Sequence, residues 1–402
     1  MSEAELAWAG ISTALVLLMT PGLAFFYGGL VKAKSVVSMM MMSFGALALV
    51  SGLWVLYGYS MTVESSPKQF SGNPFTHFGM TALNNEQLVA GAFSATFAII
   101  TTALISGAIA DRARFGSWMV FAGVWATLVY FPSASWVWGG GWIQHLGDLL
   151  GGFPAVIDYA GGTVVEISSG ASALALSLVL GQRVVFEKGA DKPHNVPLVL
   201  LGAGLLWFGW IGFNAGAEFS NGLQNIGLII VNTMASSAFG VIGFLIVERL
   251  REGKATSIGA ASGAISGLVA ITPACANVTP GAALFLGLLA GAASCLAIEW
   301  KFQLGYDDTL DVVAIHMVSG LIGMLYLGFF ATGSGLFAGG DYRQLAVQAI
   351  AAVAMLLYAF GSSFVIGFAI QKFGGFRVSN ADEIAGIDRV VHGEEGYFIE
   401  RF

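Results

Sequence analysis

The chain has 402 residues, of which 10% are charged and 56% are hydrophobic, and its mean hydropathy is +0.78. A soluble domain carries about 25% charged residues to cover its surface, so this composition excludes a soluble enzyme and a disordered chain. The net charge of −7 argues against a nucleic-acid partner, because binding to a polyanion relies on Lys and Arg.

Eleven mostly apolar stretches follow one another along the chain, each near the length of about 20 residues that a helix needs to cross a bilayer. Unbroken apolar runs of this length exclude the alternating strands of an outer-membrane barrel. The sequence therefore predicts an all-α polytopic membrane protein, with a transmembrane domain over residues 1–371 and a polar tail over 372–402. The stretches cover approximately residues 7–31, 36–60, 87–110, 115–137, 159–181, 196–218, 223–247, 255–273, 281–300, 310–333 and 343–371.

The basic residues predict how the chain is oriented in the membrane. If the loop after the first stretch is cytoplasmic and the loops alternate, fifteen of the 17 Lys and Arg residues lie inside and only Lys68 and Arg343 lie outside. The positive-inside rule then predicts an outside N-terminus, a cytoplasmic C-terminus and an odd number of spans. The first stretch follows acidic residues rather than the basic start of a signal peptide, so we interpret it as a retained span.

Two polar segments share the pattern D-x7-(E/H)-x2-S-G at a shift of 150 residues. The first contains Asp158 and Glu166 and opens the fifth stretch, and the second contains Asp308 and His316 and opens the tenth. Two five-helix halves related in this way are inverted in the membrane, and inverted repeats place a transport site near the midplane. The predicted halves cover about residues 7–181 and 196–333, with the eleventh helix at about 343–371.

Glu166 and His316 are the ionisable residues deepest inside the predicted spans. A charge at that depth is costly, so such residues usually face the bundle interior and serve a pathway or a proton relay; a structural hydrogen-bonded pair is the alternative. Asp158 lies at the outer end of the fifth span, where capping of the helix is by itself a sufficient role and cation binding is a second one. Two such groups do not complete a metal site, so the sequence predicts no metal and no cofactor.

Aromatic residues form the other informative set. Phe93 and Phe97 are four residues apart and share one helix face, Trp138 lies in a predicted outer loop, and Phe213 ends the segment GWIGF. A cluster of rings near the outer face binds a small cation through the ring quadrupoles, or it simply fills the core.

These segments together resemble the ammonium transporter family (Amt/Mep/Rh), and more closely its Amt/Mep branch, over about residues 7–398. Their order along the chain fits the predicted topology. The matching segments are TPGLAFFYGGLVKAKSV (20–36), FSATFAIITTALISGAIADR (93–112), WVWGGGW (136–142), DYAGGTVVEISSG (158–170), GWIGFNAG (209–216), ITPAC (271–275) and YDDTLDVVAIHMVSGLIG (306–323).

The resemblance implies a homotrimer in the cell membrane with one pore per subunit. It implies that ammonium is recognised in an outer vestibule at Phe93, Phe97 and Trp138, with Asp158 supporting the cation from below. Phe97 and Phe213 match the two rings that gate the pore, and Glu166 and His316 match the paired pore histidines. The tail is similar to the family's regulatory C-terminus, which in many prokaryotic members meets a PII signal protein together with the cytoplasmic loops.

Two positions depart from the family pattern. Glu166 stands where most members have a histidine, although some fungal members also carry an acid there. Ala217 stands where many members place a vestibule serine, so the hydroxyl that would accept a hydrogen bond from ammonium is missing. The first change bears on pH dependence, rate and selectivity, and the second leaves recognition to the rings and nearby carbonyl groups.

The predicted function is electrogenic ammonium transport. Ammonium is captured outside, deprotonated near Asp158 and conducted as ammonia, while Glu166 and His316 relay the proton. An ammonium sensor with little conduction and a neutral channel for ammonia or another gas are the alternatives. An enzyme is the weakest reading, because the chain has no GxSxG or HExxH motif and no nucleophile–base set.

Overall fold

Long apolar segments fold as helices because a helix satisfies its own backbone hydrogen bonds where no water is available. The structure, a computed structural model, describes residues 1–189 and 192–397. In this part of the chain, ten helices are long and apolar enough to cross a membrane, and an eleventh apolar helix is shorter. They are α1 Glu3–Leu30, α2 Ala33–Thr62, α3 Asn85–Ile109, α4 Phe115–Trp138, α5 Gly162–Leu180, α6 Val196–Asn221, α7 Ile226–Glu252, α8 Ser257–Ile271, α9 Pro280–Leu304, α10 Val313–Phe330 and α11 Tyr342–Phe373.

Each predicted stretch corresponds to one of these helices, and the prediction of an all-helical bundle is confirmed. The short one is α8, whose 15 residues rise about 22 Å, less than the thickness of a bilayer core. The chain that follows α8 leaves the helix while still buried, so its carbonyl groups need other donors. The Asn232 side chain on α7 donates to the carbonyl oxygens of Cys275 and Val278, both at 2.8 Å.

Small residues let α1 pack closely along α6. A methyl group added to Gly29 would lie 2.7 Å from the Asn195 carbonyl oxygen, and one added to Gly212 would lie 2.6 Å from the Leu15 side chain. Close approach of backbones through glycine is the usual way in which membrane helices gain packing contacts. This pairing joins the first helix of one predicted half to the first helix of the other.

Helices α5 and α10 have the same construction. Each begins with a π-helical turn, Gly162–Ile167 in α5 and Val313–Val318 in α10. They cross at two equivalent glycines: a methyl group on Gly170 would lie 2.5 Å from the Met317 amide nitrogen, and one on Gly320 would lie 2.9 Å from the Glu166 Cβ. The crossing therefore depends on the absence of a side chain at both positions.

We expect Gly170→Ala to lower the free energy of unfolding by about 1–3 kcal/mol or more, because the new methyl group meets backbone that has no room to move. The matched control is Gly361→Ala on α11, where a methyl group meets nothing within 4 Å. Thermal unfolding and size-exclusion profiles of the two variants in detergent measure the difference. Equal stability of both variants would contradict this account of the crossing.

The tail is folded against the ends of the helices. It contains the helix Asn380–Ala385 and the turn Asp388–His392. Arg377, which precedes this helix, pairs with Glu383 within it at 2.8 Å. The Asp388 carboxylate accepts hydrogen bonds from the amides of Val37 and Ser38 at 3.0 and 2.7 Å, near the start of α2. We call this end of the bundle the inner end and the opposite end, which carries Trp138 and Asp158, the outer end. Residues 398–402 of the predicted tail lie outside the described part.

Candidate functional site

A chamber of about 430 Å³ opens at the outer end of the bundle. Seven of its sixteen lining residues are aromatic, and the lining comes mainly from α2, α3, α4, α6 and the loop before α5. Every outer residue that the sequence singles out lines it: Phe93, Phe97, Trp138, Asp158 and Ala217.

The rings of the chamber pack edge to face. The Phe93 and Phe97 centroids are 5.0 Å apart, and the Phe97 and Trp138 centroids are 6.2 Å apart at an interplanar angle of 87°. The prediction that Trp138 lies in a loop is wrong: it is the last residue of α4, because the helix continues until Gly139 departs from helical geometry. Its indole nitrogen donates to the Asp158 carbonyl oxygen at 3.0 Å, which fixes the ring against the wall.

Asp158 is buried just before α5 and caps that helix. Its carboxylate accepts hydrogen bonds from the amides of Gly161, Gly162 and Thr163 at 3.0, 2.5 and 2.8 Å, and from the Thr163 hydroxyl. Gly161 occupies a left-handed conformation, with φ of +114°, that brings these amides together. Both roles predicted for Asp158 are compatible, since it orders the helix start and lines the chamber.

Phe97 and Phe213 stack at the base of the chamber. Their centroids are 4.1 Å apart and their planes differ by 23°. Phe97 lines the chamber, whereas Phe213 lines a much narrower space of about 10 Å³ below it. The two rings therefore separate a wide outer space from a narrow inner one.

Glu166 and His316 line that narrow space and contact each other. The His316 Nδ1 lies 2.7 Å from the Glu166 Oε2, and both side chains are buried. With Nδ1 engaged by the carboxylate, Nε2 is the nitrogen that remains for the path. The other lining side chains, which include Leu23, Phe26, Leu104 and Trp210, are apolar or aromatic.

The sequence analysis missed several side chains of the chamber. Phe219 contacts Phe93 edge to face at 5.5 Å, and Trp54 also lines the chamber. Glu218 is fully buried and accepts a hydrogen bond at 2.6 Å from the Tyr159 hydroxyl. Tyr159 itself lines the chamber. An acid directly after the apolar run of α6 was the available signal for Glu218. Ala217 contributes no hydroxyl to the wall.

An apolar helical bundle with an aromatic chamber above a narrow, polar-centred path is built to pass a small solute across a membrane. The chain matches the Ammonium Transporter Family over residues 7–397. It is 44% identical to an ammonium transporter of Mycobacterium tuberculosis, with 98% of this chain and 90% of that protein covered. It is 38% identical to the ammonium transporter Amt1 of Archaeoglobus fulgidus, with 99% and 100% covered.

Solved structures agree with this assignment. A Sensor Amt Protein superposes with a TM-score of 0.87 at 28% identity, covering 96% of this chain and 97% of that one. Mep2 of Saccharomyces cerevisiae superposes with a TM-score of 0.83 at 30% identity, covering 94% and 91%. The chain belongs to the ammonium transporter family, and it is a multi-pass membrane transporter rather than an enzyme.

Proposed function

We propose that the protein carries ammonium inward across the cell membrane, taking up ammonium at the chamber and passing it through the path as ammonia. The observation that carries this proposal is the stacked Phe97–Phe213 pair, which stands between the aromatic chamber and the narrow path. The chamber suits a cation, whereas the path suits a small neutral molecule.

The physical argument rests on the difference between ammonium and potassium, which are alike in size and charge. Both cations are attracted to ring faces, but only ammonium donates hydrogen bonds and can lose a proton. An ion is costly to place in a narrow apolar path, and neutral ammonia is not. Deprotonation near Asp158 therefore selects ammonium over potassium.

The proton takes a separate route in this proposal. Glu166 and His316 lie in contact inside the path, and an ionised Glu166 with a protonated His316 is neutral as a pair. Such a pair holds a proton at a depth where an isolated charge would be unfavourable. Transport of ammonia and a proton together moves one net charge.

Trp138→Leu is expected to raise the ammonium concentration for half-maximal transport about tenfold, because the chamber loses a ring face while keeping its apolar lining. Trp142→Leu is the matched control, since Trp142 packs on Trp136 at 5.8 Å and does not line the chamber. Uptake into vesicles over a range of ammonium concentrations measures the shift. An unchanged concentration dependence in Trp138→Leu would remove this ring from the recognition site.

An ammonium sensor is the second candidate, favoured by the fold shared with a Sensor Amt Protein and by the folded tail. The two functions differ in turnover, so the test pairs ammonium binding with ammonium uptake by the same purified protein in vesicles. Saturable binding with uptake above that of protein-free vesicles supports the transporter. Saturable binding without such uptake would replace it with the sensor.

We propose further that the protein is a homotrimer with an outside N-terminus and a cytoplasmic tail, and that a PII-type signal protein binds the inner end. The support is the family membership and the fifteen-to-two distribution of basic residues. Mass measurement of the detergent-solubilised protein, alone and with a PII protein, tests both assemblies.

A further inference from the structure

Asp308 occupies the position in the second half that Asp158 occupies in the first. Each aspartate precedes a helix that begins with a π-helical turn. Each accepts, through its Oδ2 atom, a hydrogen bond from the backbone amide five residues later: Thr163 at 2.8 Å for Asp158 and Val313 at 2.7 Å for Asp308. Asp308 is therefore the inner counterpart of the chamber aspartate.

The two carboxylates differ in one respect. Both oxygens of Asp158 accept hydrogen bonds, whereas the Oδ1 atom of Asp308 is buried and has no hydrogen-bond partner among the described residues. The whole residue is only 1% exposed. A buried carboxylate oxygen without a donor favours a bound proton, so Asp308 has an open protonation site that Asp158 lacks.

Residues next to Asp308 reach towards both the narrow path and the inner end. The Asp308 carboxylate interacts electrostatically with Tyr27. The Tyr27 hydroxyl donates to the carbonyl oxygen of Leu104 at 3.0 Å, and both Leu104 and Phe26, the neighbour of Tyr27, line the path. On the other side, Thr309 and Leu310 line a cavity of about 210 Å³ at the inner end. Asp308 itself lines neither space, but its neighbours connect it to the path and to the inner cavity.

The nearby cations are paired with other groups. Lys301 pairs with Asp311 at 2.5 Å and donates to the Asp308 carbonyl oxygen at 3.0 Å, not to its carboxylate. Arg183 binds the Asp307 carboxylate at 2.8 Å. Burial by itself would raise the pKa of Asp307, but the hydrogen bonds from Arg183 and the nearby positive charges outweigh burial, so the pKa is lowered. The titratable and charged groups around Asp308 are Tyr27, Arg112, Lys301, Tyr306, Asp307 and Asp311.

Burial raises the pKa of Asp308 to about 6, against the opposing charge of Lys301 and with a smaller contribution from Asp311. Above about pH 6 the carboxylate is free to accept a proton, and below that pH it is already protonated. A group with this pKa exchanges protons readily with a near-neutral compartment.

We propose that Asp308 is the inner proton-exchange residue of the relay. A proton leaving the His316 ring breaks an N–H bond, passes along a chain of water molecules and forms an O–H bond on the Asp308 carboxylate. The carboxylic acid then releases that proton to water or ammonia in the inner cavity and becomes a carboxylate again. This inference rests on the proposed transport function and extends its proton route to the inner end.

The test uses Asp308→Asn, which keeps an acceptor for the Val313 amide but cannot take up a proton at the carboxyl position. We expect the ammonium-induced current in proteoliposomes to fall by about tenfold or more, while entry of ammonia, measured as alkalinisation of the lumen above that of protein-free vesicles, persists. Glu187→Gln is the matched control, because this exposed carboxylate lines the same cavity and is expected to leave the current unchanged.

A wild-type current with an unchanged current in Asp308→Asn would overturn this inference and leave the transport proposal standing. Loss of current together with loss of ammonia entry would also overturn it, because the role would then be structural. Absence of any wild-type current would overturn the electrogenic transport proposal and, with it, the relay.

A second measurement needs no variant. In vesicles with the inner end facing the lumen, the wild-type current is expected to be half-maximal at a lumen pH of about 6 and to fall as the lumen is acidified, because Asp308 then stays protonated. A current that does not change between a lumen pH of about 5 and 7 would contradict the assignment even if Asp308→Asn fails to fold.

Discussion

Vesicles that hold the Glu166→Leu, His316→Leu double variant are expected to lose at least about 99% of the ammonium-induced current. The reason is that the two leucines remove the only pair of contacting ionisable side chains lining the described path, while keeping it apolar and filled. Ammonia entry is expected to continue, because a neutral molecule needs no proton carrier. Recording the current and the alkalinisation of the lumen in the same vesicles distinguishes proton transport from ammonia entry.

The matched control for this result is Met317→Leu, the residue next to His316 on α10, which does not line the narrow space. It is expected to keep the wild-type current and stability. A double variant that carries the wild-type current would show that the pair is a structural contact and that the proton, or the ammonium ion itself, takes another route.

Opening the ring stack is expected to produce the second large effect. In Phe213→Ala the stacked partner of Phe97 is lost, and the chamber joins the narrow space below it. Water then enters the path and lowers the cost of an ion there, so we expect a potassium current that the wild type lacks. The ratio of ammonium to potassium current is expected to fall about tenfold or more, since a hydrated path no longer rejects the ion.

Phe208→Ala is the control for the ring stack, because Phe208 lies on the same helix but is 60% exposed on the outside of the bundle. Its removal leaves the stack intact, and its currents are expected to match the wild type. Equal exclusion of potassium by Phe213→Ala and the wild type would mean that selectivity arises in the chamber and not at the rings.

The positions of the helices could be predicted from the sequence because hydrophobic length is a strong local signal. Each predicted stretch has its helix, and even the short α8 coincides with the stretch at about 255–273. What the sequence did not show is that α8 ends while still buried, since the Asn232 side chain that satisfies the following carbonyl groups comes from another helix. Tertiary hydrogen bonds of this kind leave no periodic pattern.

The contact between Glu166 and His316 was within reach of the sequence because the repeat places them at equivalent positions. The glycines at 170 and 320, which allow the contact, belong to the same repeated pattern. Trp138 was assigned to a loop because glycines follow it directly, although the helix continues to its own position. Phe219 and Glu218 were missed because a single side chain after an apolar run carries no periodic signal for what it faces.

The measurement that tests the central claim most directly is the current across proteoliposomes that hold the purified wild-type protein, after matched pulses of ammonium and of potassium. The account predicts a saturable current with ammonium and none with potassium, because only ammonium can lose a proton near Asp158, cross the ring stack as ammonia and have its proton relayed by the Glu166–His316 pair. Equal currents with both cations would contradict it by showing passage of the intact ion. Ammonia entry without any current would contradict the separate proton route and indicate a neutral channel.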